Sequence, residues 1–396
     1  MFIPISIMLY PSGPFLAPKL KNGISITSNV TSYSHSITAN GGCESASIKL
    51  EVPIDYASQY LNYILHDIRV SDEYAQLIWL GFVSSITLDY GNSTTTIGIN
   101  NYASRFVLFV NGNVAGTLYD NDVARLYGDK ISFIRVDANT LNATAVTKNM
   151  TRALLQQGSP NIENKTTSET KSRQNCTITI NCSGYYTQAE WKTVGASPLA
   201  GTGNDIWTAI QGYVNNFLFN NISVGNYISF RATRSGPNNA YSYFFSGITD
   251  VTTNRWDAYT PWSQVLNDLI DVGTIDGKII SYGVYQEGFM DFALSRLNYQ
   301  YIDYYKSVAS SKIYDVNGSE IPPTQVLPDR NISIAELRPA YTTFSRQIVG
   351  LQYINRVSLQ IARNGYSLTL EPATLNDASY ELARLVKKAK WRRNNR

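Results

Sequence analysis

In residues 357–370 the apolar side chains fall on every second position: Val357, Leu359 and Ile361 lead up to Asn364-Gly365, and Tyr366, Leu368 and Leu370 lead back. A period of two cannot be laid along one face of a helix, so this stretch predicts a β-hairpin. Its turn is expected at the Asn-Gly pair, which tolerates positive φ. Residues 77–90 repeat the pattern with Leu77 and Trp79, then Val83, then Ile86, Leu88 and Tyr90. The change of parity between Gly81 and Ser85 predicts a β-bulge. Gly91-Asn92 then reads as a turn, and Ile97 and Ile99 as one face of the returning strand. The apolar opening of the chain, interrupted by Pro4 and Pro11, reads as a further strand. It has no basic residue ahead of its apolar stretch and makes a poor signal peptide.

Helical signals are few. Thr260 can cap a helix with Pro261 at its first position, and Trp262, Val265, Leu266, Leu269 and Ile270 form one apolar stripe that ends near Gly273. The following GKIISYGVYQEGFMDFAL alternates like a hairpin with Gly288 near its turn, whereas residues 157–175 are polar and read as an exposed loop or linker. Only 16% of the 396 residues are charged, while 43% are hydrophobic and 28 are Tyr, which argues against disorder and for β-rich surfaces that meet other protein. No run approaches the roughly 18 apolar residues of a membrane span.

One short sequence occurs twice. Ser47-Ile48-Lys49-Leu50-Glu51 with Pro53, Asp55, Ala57, Ser58, Tyr60 and Leu61 is echoed by Ser367-Leu368-Thr369-Leu370-Glu371 with Pro372, Asp377, Ala378, Ser379, Tyr380 and Leu382. Both read as turn, strand, proline break and helix. Duplication would produce the match, and so would chance over so short a span.

Signatures of catalysis are missing from the sequence. His35 and His66 are the only histidines, and there is no HExxH, CxxC, GxxxxGK[ST] or GxGxxG pattern, Gly201-Thr202-Gly203 lacking the third glycine. His66-Asp67 is not accompanied by a nucleophile elbow. Glu190 beside Trp191, and Glu287 among Tyr282, Tyr285 and Phe289, are the acids in sugar-site company, and nothing about them identifies a mechanism. Cys43, Cys176 and Cys182 form no disulfide framework and are expected to be free thiols in a protein made in a reducing compartment. Ten Asn-x-Ser/Thr sequons occur in a chain this rich in Asn, Ser and Thr, and without a signal peptide they are read as chance. No metal or cofactor is expected. Lys387, Lys388, Lys390, Arg392, Arg393 and Arg396 follow the last acid, Glu381; without these six charges the formal +3 becomes −3, so the body is mildly acidic and the tail basic.

Taken together, four segments resemble phage tail hub proteins, also called minor tail or baseplate hub proteins. Gly41, Gly42, Ser45, Ala46 and Ser47 hold the places of that family's first strand motif, with Cys43 where an aromatic is usual. Trp79, Gly81 and Val83 hold those of the second strand, and Ile97, Ile99 and Tyr102 those of the closing strand. The segment from Pro261 into GKIISYGVYQEGFMDF, and YINRVSLQIARNGYSLTLEPATLNDASYELARL near the C-terminus, are similar to later parts of the same family. The resemblance covers roughly three quarters of the chain and leaves residues 107–225 unmatched.

The resemblance implies a mainly β fold with α/β segments: two related antiparallel β-barrels per chain joined by α+β insertions. Three chains would form a ring of six quasi-equivalent barrels, matching a hexameric tail tube on one side and a threefold tip or spike on the other. The expected division is 1–110, a barrel with a helix; 111–225, a variable middle segment; 226–310, an α/β segment; 311–386, a second barrel with a closing helix; and 387–396, the basic tail. The implied protein is a homotrimeric structural component of the virion tail tip, synthesised in the host cytoplasm, with DNA passing through its channel. Lys387, Lys388, Lys390, Arg392 and Arg393 are candidates for contact with a partner. The competing readings are a receptor- or carbohydrate-binding tail protein and, from the acids above, a cell-wall glycoside hydrolase.

Overall fold

The computed structural model of the protein describes residues 5–10, 23–99, 103–121, 130–136, 161–166, 174–191, 193, 229–230, 256, 259–273, 279–285, 289–295, 302–307, 312–339, 344–372, 382, 385–387 and 389–390. The fold is mainly β. The first strands are β1 (Ile5–Tyr10), β2 (Ile24–Ser25), β3 (Val30–Thr38), β4 (Asn40–Pro53), β5 (Asp67–Asp72), β6 (Leu77–Asp89) and β7 (Ser93–Gly98). A small separate sheet follows, of β8 (Arg105–Val110), β9 (Asn113–Tyr119) and β10 (Ile131–Val136), and then β11 (Asn161–Thr166) and β12 (Asn175–Ser183). The remaining strands are β13 (Ser229–Phe230), β14 (Ile279–Val284), β15 (Phe289–Ser295), β16 (Tyr304–Ser307), β17 (Ile313–Tyr314), β18 (Glu320–Ile321), β19 (Asn331–Pro339), β20 (Phe344–Ala362) and β21 (Gly365–Pro372).

The first core is enclosed by β1, β5, β6, β12, β4 and β3, hydrogen-bonded in that order and antiparallel throughout. Every second residue points inward, so Ile7 and Leu9, Val70, Trp79, Ile178 and Ile180, Ile48 and Leu50, and Tyr33 and Ile37 share one buried cluster. The segment leading into β3 covers the outer edge of β1: Ile26 N–H donates to the Ile7 carbonyl (3.1 Å) and Ile7 N–H to Thr27 Oγ1 (2.9 Å). A second core gathers Tyr304, Ile313, Val326, Ile332, Ile354 and Val357, with Leu370 packed against it.

One strand serves both cores. The first half of β20 pairs with β19, and its second half lies between β21 and β3. Ile354 and Val357 belong to the second core, while Leu359 and Ile361, further along the same strand, belong to the first. Across the junction the buried Asp72 carboxylate takes hydrogen bonds from Tyr74 and Gln76 N–H on its own turn, and from the Thr324 hydroxyl (3.4 Å) and Gln325 amide (3.5 Å) on the second unit.

Several sequence expectations appear in the structure. β20 and β21 form the C-terminal hairpin and β6 and β7 the N-terminal one, with an irregularity at Ser84 where the parity changes. β14 and β15 form the third hairpin, its turn (286–288) lying outside the described residues. Helix Trp262–Gly273 buries Trp262, Val265, Leu266, Leu269 and Ile270 as the stripe requires.

Other expectations are corrected. The two-residue turn of the β20–β21 hairpin is Arg363-Asn364, because Ala362 pairs with Gly365; Gly365 takes the positive φ (+137°) as the first strand residue. Pro261 precedes its helix, its carbonyl accepting from Val265 N–H (3.2 Å). Within the stretch expected to be a polar loop, β11 is a strand paired with β7. Its period is masked in the sequence because residues 163–166 are exposed and polar on both faces. β12 lies between β4 and β6 at the centre of the first core, although it belongs to the stretch that matched nothing in the family.

Candidate functional site

The glycine segments that carried the resemblance converge on one point. β14 runs parallel to the start of β4, setting Gly283 opposite Gly41 and Val284 opposite Gly42. A Cβ on Gly42, whose φ is +79°, would lie 2.2 Å from the Val284 carbonyl oxygen, and one on Gly184 would lie 1.6 Å from that of Cys43. Gly81 approaches the Ser183 carbonyl in the same manner, at 2.3 Å. Close approach of backbones, with no room for any side chain, explains the glycines. Tyr285 seals the node by donating its hydroxyl to the Ala39 carbonyl, and Tyr186 packs edge-on against Tyr282 at 5.8 Å. The node is therefore where β4, β6, β12 and β14 are locked together. Gly184 was missed in the sequence; its signal was a lone glycine directly after the alternating run of β12.

The cysteines and His35 are buried, which suppresses their chemistry. Cys176 and Cys182 lie six residues apart on the same face of β12, about 20 Å along a strand, too far to bond each other. Both are buried and outside any disulfide, as is Cys43. Burial pushes the Cys176 thiol up to about 11 and Cys182 higher still, so neither is a thiolate near neutral pH. Burial also lowers His35 to about 3, and its Nδ1 shares a hydrogen bond with the Tyr33 hydroxyl (2.9 Å). Asp67 takes the Tyr185 hydroxyl (2.6 Å), and His66 Nδ1 lies 3.4 Å from the Ile64 carbonyl. Glu190 is exposed on the short helix Gln188–Trp191, whose Trp191 packs on Phe82 and under the Lys130 ammonium, the latter lowered by burial to about 8. Glu287 and residues 201–203 lie outside the described residues. Among the described residues no group of three metal-ligating side chains is found.

What the fold does present is surface. The outward face of β6, β12, β4, β3, β20 and β21 carries a row in which Ser85, Asn181, Ser47, Ser34, Gln360 and Ser367 are successive neighbours. Ser47 donates to Asn181 Oδ1 (3.1 Å), and Asn181 Nδ2 donates to Ser85 Oγ (3.1 Å). A shallow trough of about 290 Å³ runs over this face. Its one guanidinium, Arg356, is matched by Glu44 (2.7 Å) and Glu371 (4.0 Å). A second cleft, about 280 Å³ and more apolar, lies where Pro323 and Asp72 meet Ile361 and Tyr366.

The basic tail is partly engaged within the chain. Lys387 lies on a helical turn and reaches Asp271 (2.5 Å) and Asp268 (3.8 Å) on helix Trp262–Gly273, while Lys390 is helical and exposed. Lys388, Arg392 and Arg393 lie outside the described residues. Leu382, Leu385 and Val386 of the same segment are exposed.

No protein-family model matches the chain, and no curated protein does. Solved structures similar to it include a 43 kDa tail protein of prophage MuSo2 from Shewanella oneidensis (6% identity, TM-score 0.44, covering 94% of this chain and 96% of that one). Another is a tail protein from Neisseria meningitidis MC58 (6%, 0.41, 94% and 96%). A third is the E. coli c3393 protein, described as a type VI secretion system component with structural similarity to T4 tail proteins gp27 and gp5 (8%, 0.40, 87% and 73%).

Proposed function

We propose that the chain is a structural protein of a phage tail tip: a homotrimeric hub that joins the tail tube to distal tip or spike proteins and encloses the channel through which DNA passes. The reading begins with the motif resemblance. The observation that carries it is β20, which threads both cores and so ties two β-units together in one chain. Two such units per chain and three chains per ring place six units around an axis, which is how a threefold assembly can meet a sixfold one.

The sequence echo supports two related units but is not the source of that match. Its strands β4 and β21 are the outer members of two hairpins whose inner strands, β3 and β20, pair with each other, Ser34 opposite Gln360. The echoed strands therefore run antiparallel and are related by a half-turn, whereas neighbours in a sixfold ring are related by a sixth of a turn.

The outward polar face suits a wall past which DNA slides. Its hydroxyls and amides are neutral, and its described cations are Arg356, matched by two carboxylates, and the exposed Lys49, so it offers few cations to displace counterions from phosphate. Native mass measurement over a range of concentrations, with electron microscopy of the same samples, tests the reading. A threefold ring with an axial opening is expected; a chain that stays monomeric even when mixed with its tail tube protein would sink it.

A further inference from the structure

We propose that the apolar cleft at the junction of the two units binds an aliphatic diamine, a small cation of the polyamine class. Every residue involved lies within one chain, so the site does not depend on the hub reading. The cleft encloses about 280 Å³ and has the make-up of a small-molecule site, apolar with a few placed polar groups. Leu359 and Ile361, both buried, form its apolar base. One wall is made by Asp72 and Glu73 at the end of β5 together with Pro322, Pro323 and Thr324 of the second unit. The other is the tip of the β20–β21 hairpin, with Arg363 and Tyr366.

The acidic wall is what makes the chemistry specific. Asp72 is only 3% exposed, and among the described residues no cationic side chain pairs with it. Its two oxygens are unequally served. Oδ1 takes Gln76 N–H (2.9 Å) and Tyr74 N–H (3.0 Å), both ordinary hydrogen bonds. Oδ2, the oxygen turned toward Thr324 of the cleft wall, takes the Thr324 hydroxyl at 3.4 Å and the Gln325 amide at 3.5 Å. Both lie beyond the usual limit of about 3.2 Å. A buried carboxylate is ordinarily held by a cation or by close hydrogen bonds, and Oδ2 has neither. A primary ammonium on an aliphatic stem supplies what is missing: its N–H groups give Oδ2 a charge-assisted bond while its methylenes cover Leu359 and Ile361.

A second cation is called for at the mouth. Glu73 is exposed, has no cationic partner among the described residues, and lines the same cleft as the Tyr366 ring, which is 55% exposed and whose face attracts cations. A diamine sets one ammonium at Asp72 and the other at Glu73. The lysine side chain of a protein partner carries only one, which is why the occupant is assigned as a free amine. Arg363 on the opposite wall opposes the second charge and leaves the lining with a net −1. Its exposure lets salt screen it, so the site is expected to be of modest affinity and to weaken as ionic strength rises.

Isothermal titration calorimetry of the full-length protein with 1,5-diaminopentane at low salt tests the site. Saturable binding of one diamine per chain is expected, while pentane-1,5-diol, its neutral counterpart, gives none. Asp72→Asn keeps an acceptor for the Tyr74 and Gln76 N–H groups and removes the charge, so it should weaken binding by at least about tenfold. Glu73→Gln changes an exposed side chain and should weaken binding by about threefold, which carries the test if Asp72→Asn does not fold by circular dichroism. Absence of saturable binding, equal affinity for the diol, or unchanged affinity in either folded variant overturns the proposal. A blocked lysine, N-acetyl-lysine amide, that binds as tightly as the diamine would show the second ammonium to be idle and overturn the assignment to a free diamine.

Discussion

At the residue scale, burial decides what the titratable groups do. His35 is neutral in the folded protein down to pH about 3, whereas in the unfolded chain it takes up a proton near pH 6.5. Below 6.5 the unfolded state therefore binds more protons, and stability falls as pH drops toward 3, by roughly 1.4 kcal/mol per pH unit. Urea melts of wild type between pH 7 and 5 should show this slope, and His35→Gln should flatten it; an unchanged slope in the variant would assign the loss to other groups. The thiols lead to a related expectation. With Cys43, Cys176 and Cys182 buried, a thiol reagent at pH 8 should modify none in the native protein and all three in guanidinium. The glycine node gives the largest single-residue effect. Gly184→Ala puts a methyl group against the Cys43 carbonyl, and relief requires two backbones to part, so a loss of more than about 2 kcal/mol is expected in chemical denaturation. Ala at Gly116, where an added Cβ meets nothing within 4 Å, is the control.

At the element scale, helix Trp262–Gly273 and the C-terminal helical segment are joined by Lys387 with Asp268 and Asp271. The Lys387 side chain is about half exposed, so the pair contributes less than about 1 kcal/mol to global stability. Lys387→Ala should leave the melting temperature almost unchanged while speeding amide exchange in residues 385–390; equal exchange in both proteins would show that other contacts hold the segment. Deleting residues 387–396 separates the roles of the tail. Lost tail assembly with unchanged DNA binding indicates an acidic protein partner, whereas a large, salt-dependent loss of DNA affinity indicates phosphate contact. The elements differed in how readable they were. β20 and β21 were legible because each turns one face to a core and the other to solvent, the condition that writes a period of two into the sequence: Val357, Leu359 and Ile361 are buried, and Leu368 and Leu370 half-buried against them. β11 was not, because its described side chains are exposed on both faces and exposure imposes no period.

At the scale of the whole molecule, the shared strand makes the two cores one folding unit. Val357, fully buried in the second core, is two residues from Leu359 in the first, so Val357→Ala should lower stability by about 1–3 kcal/mol in a single transition seen alike by probes in both cores. Two separated transitions would show that the units fold independently. The sequence by itself determined the mainly β class, the three hairpins and the buried helix, since each of these is a local consequence of side-chain period; the crowding that requires the node's glycines, Gly184 among them, came only with the structure. The sequence could not say that the Gly41-Gly42, Gly81 and Gly283 segments meet at one point. Nor could it place β12 between β4 and β6, or run β20 through two cores. Those are pairings between residues tens to hundreds of positions apart, and hydrogen bonds between strands are made by backbone groups that every residue carries alike. Only the tertiary structure, by choosing which edges meet, decides them.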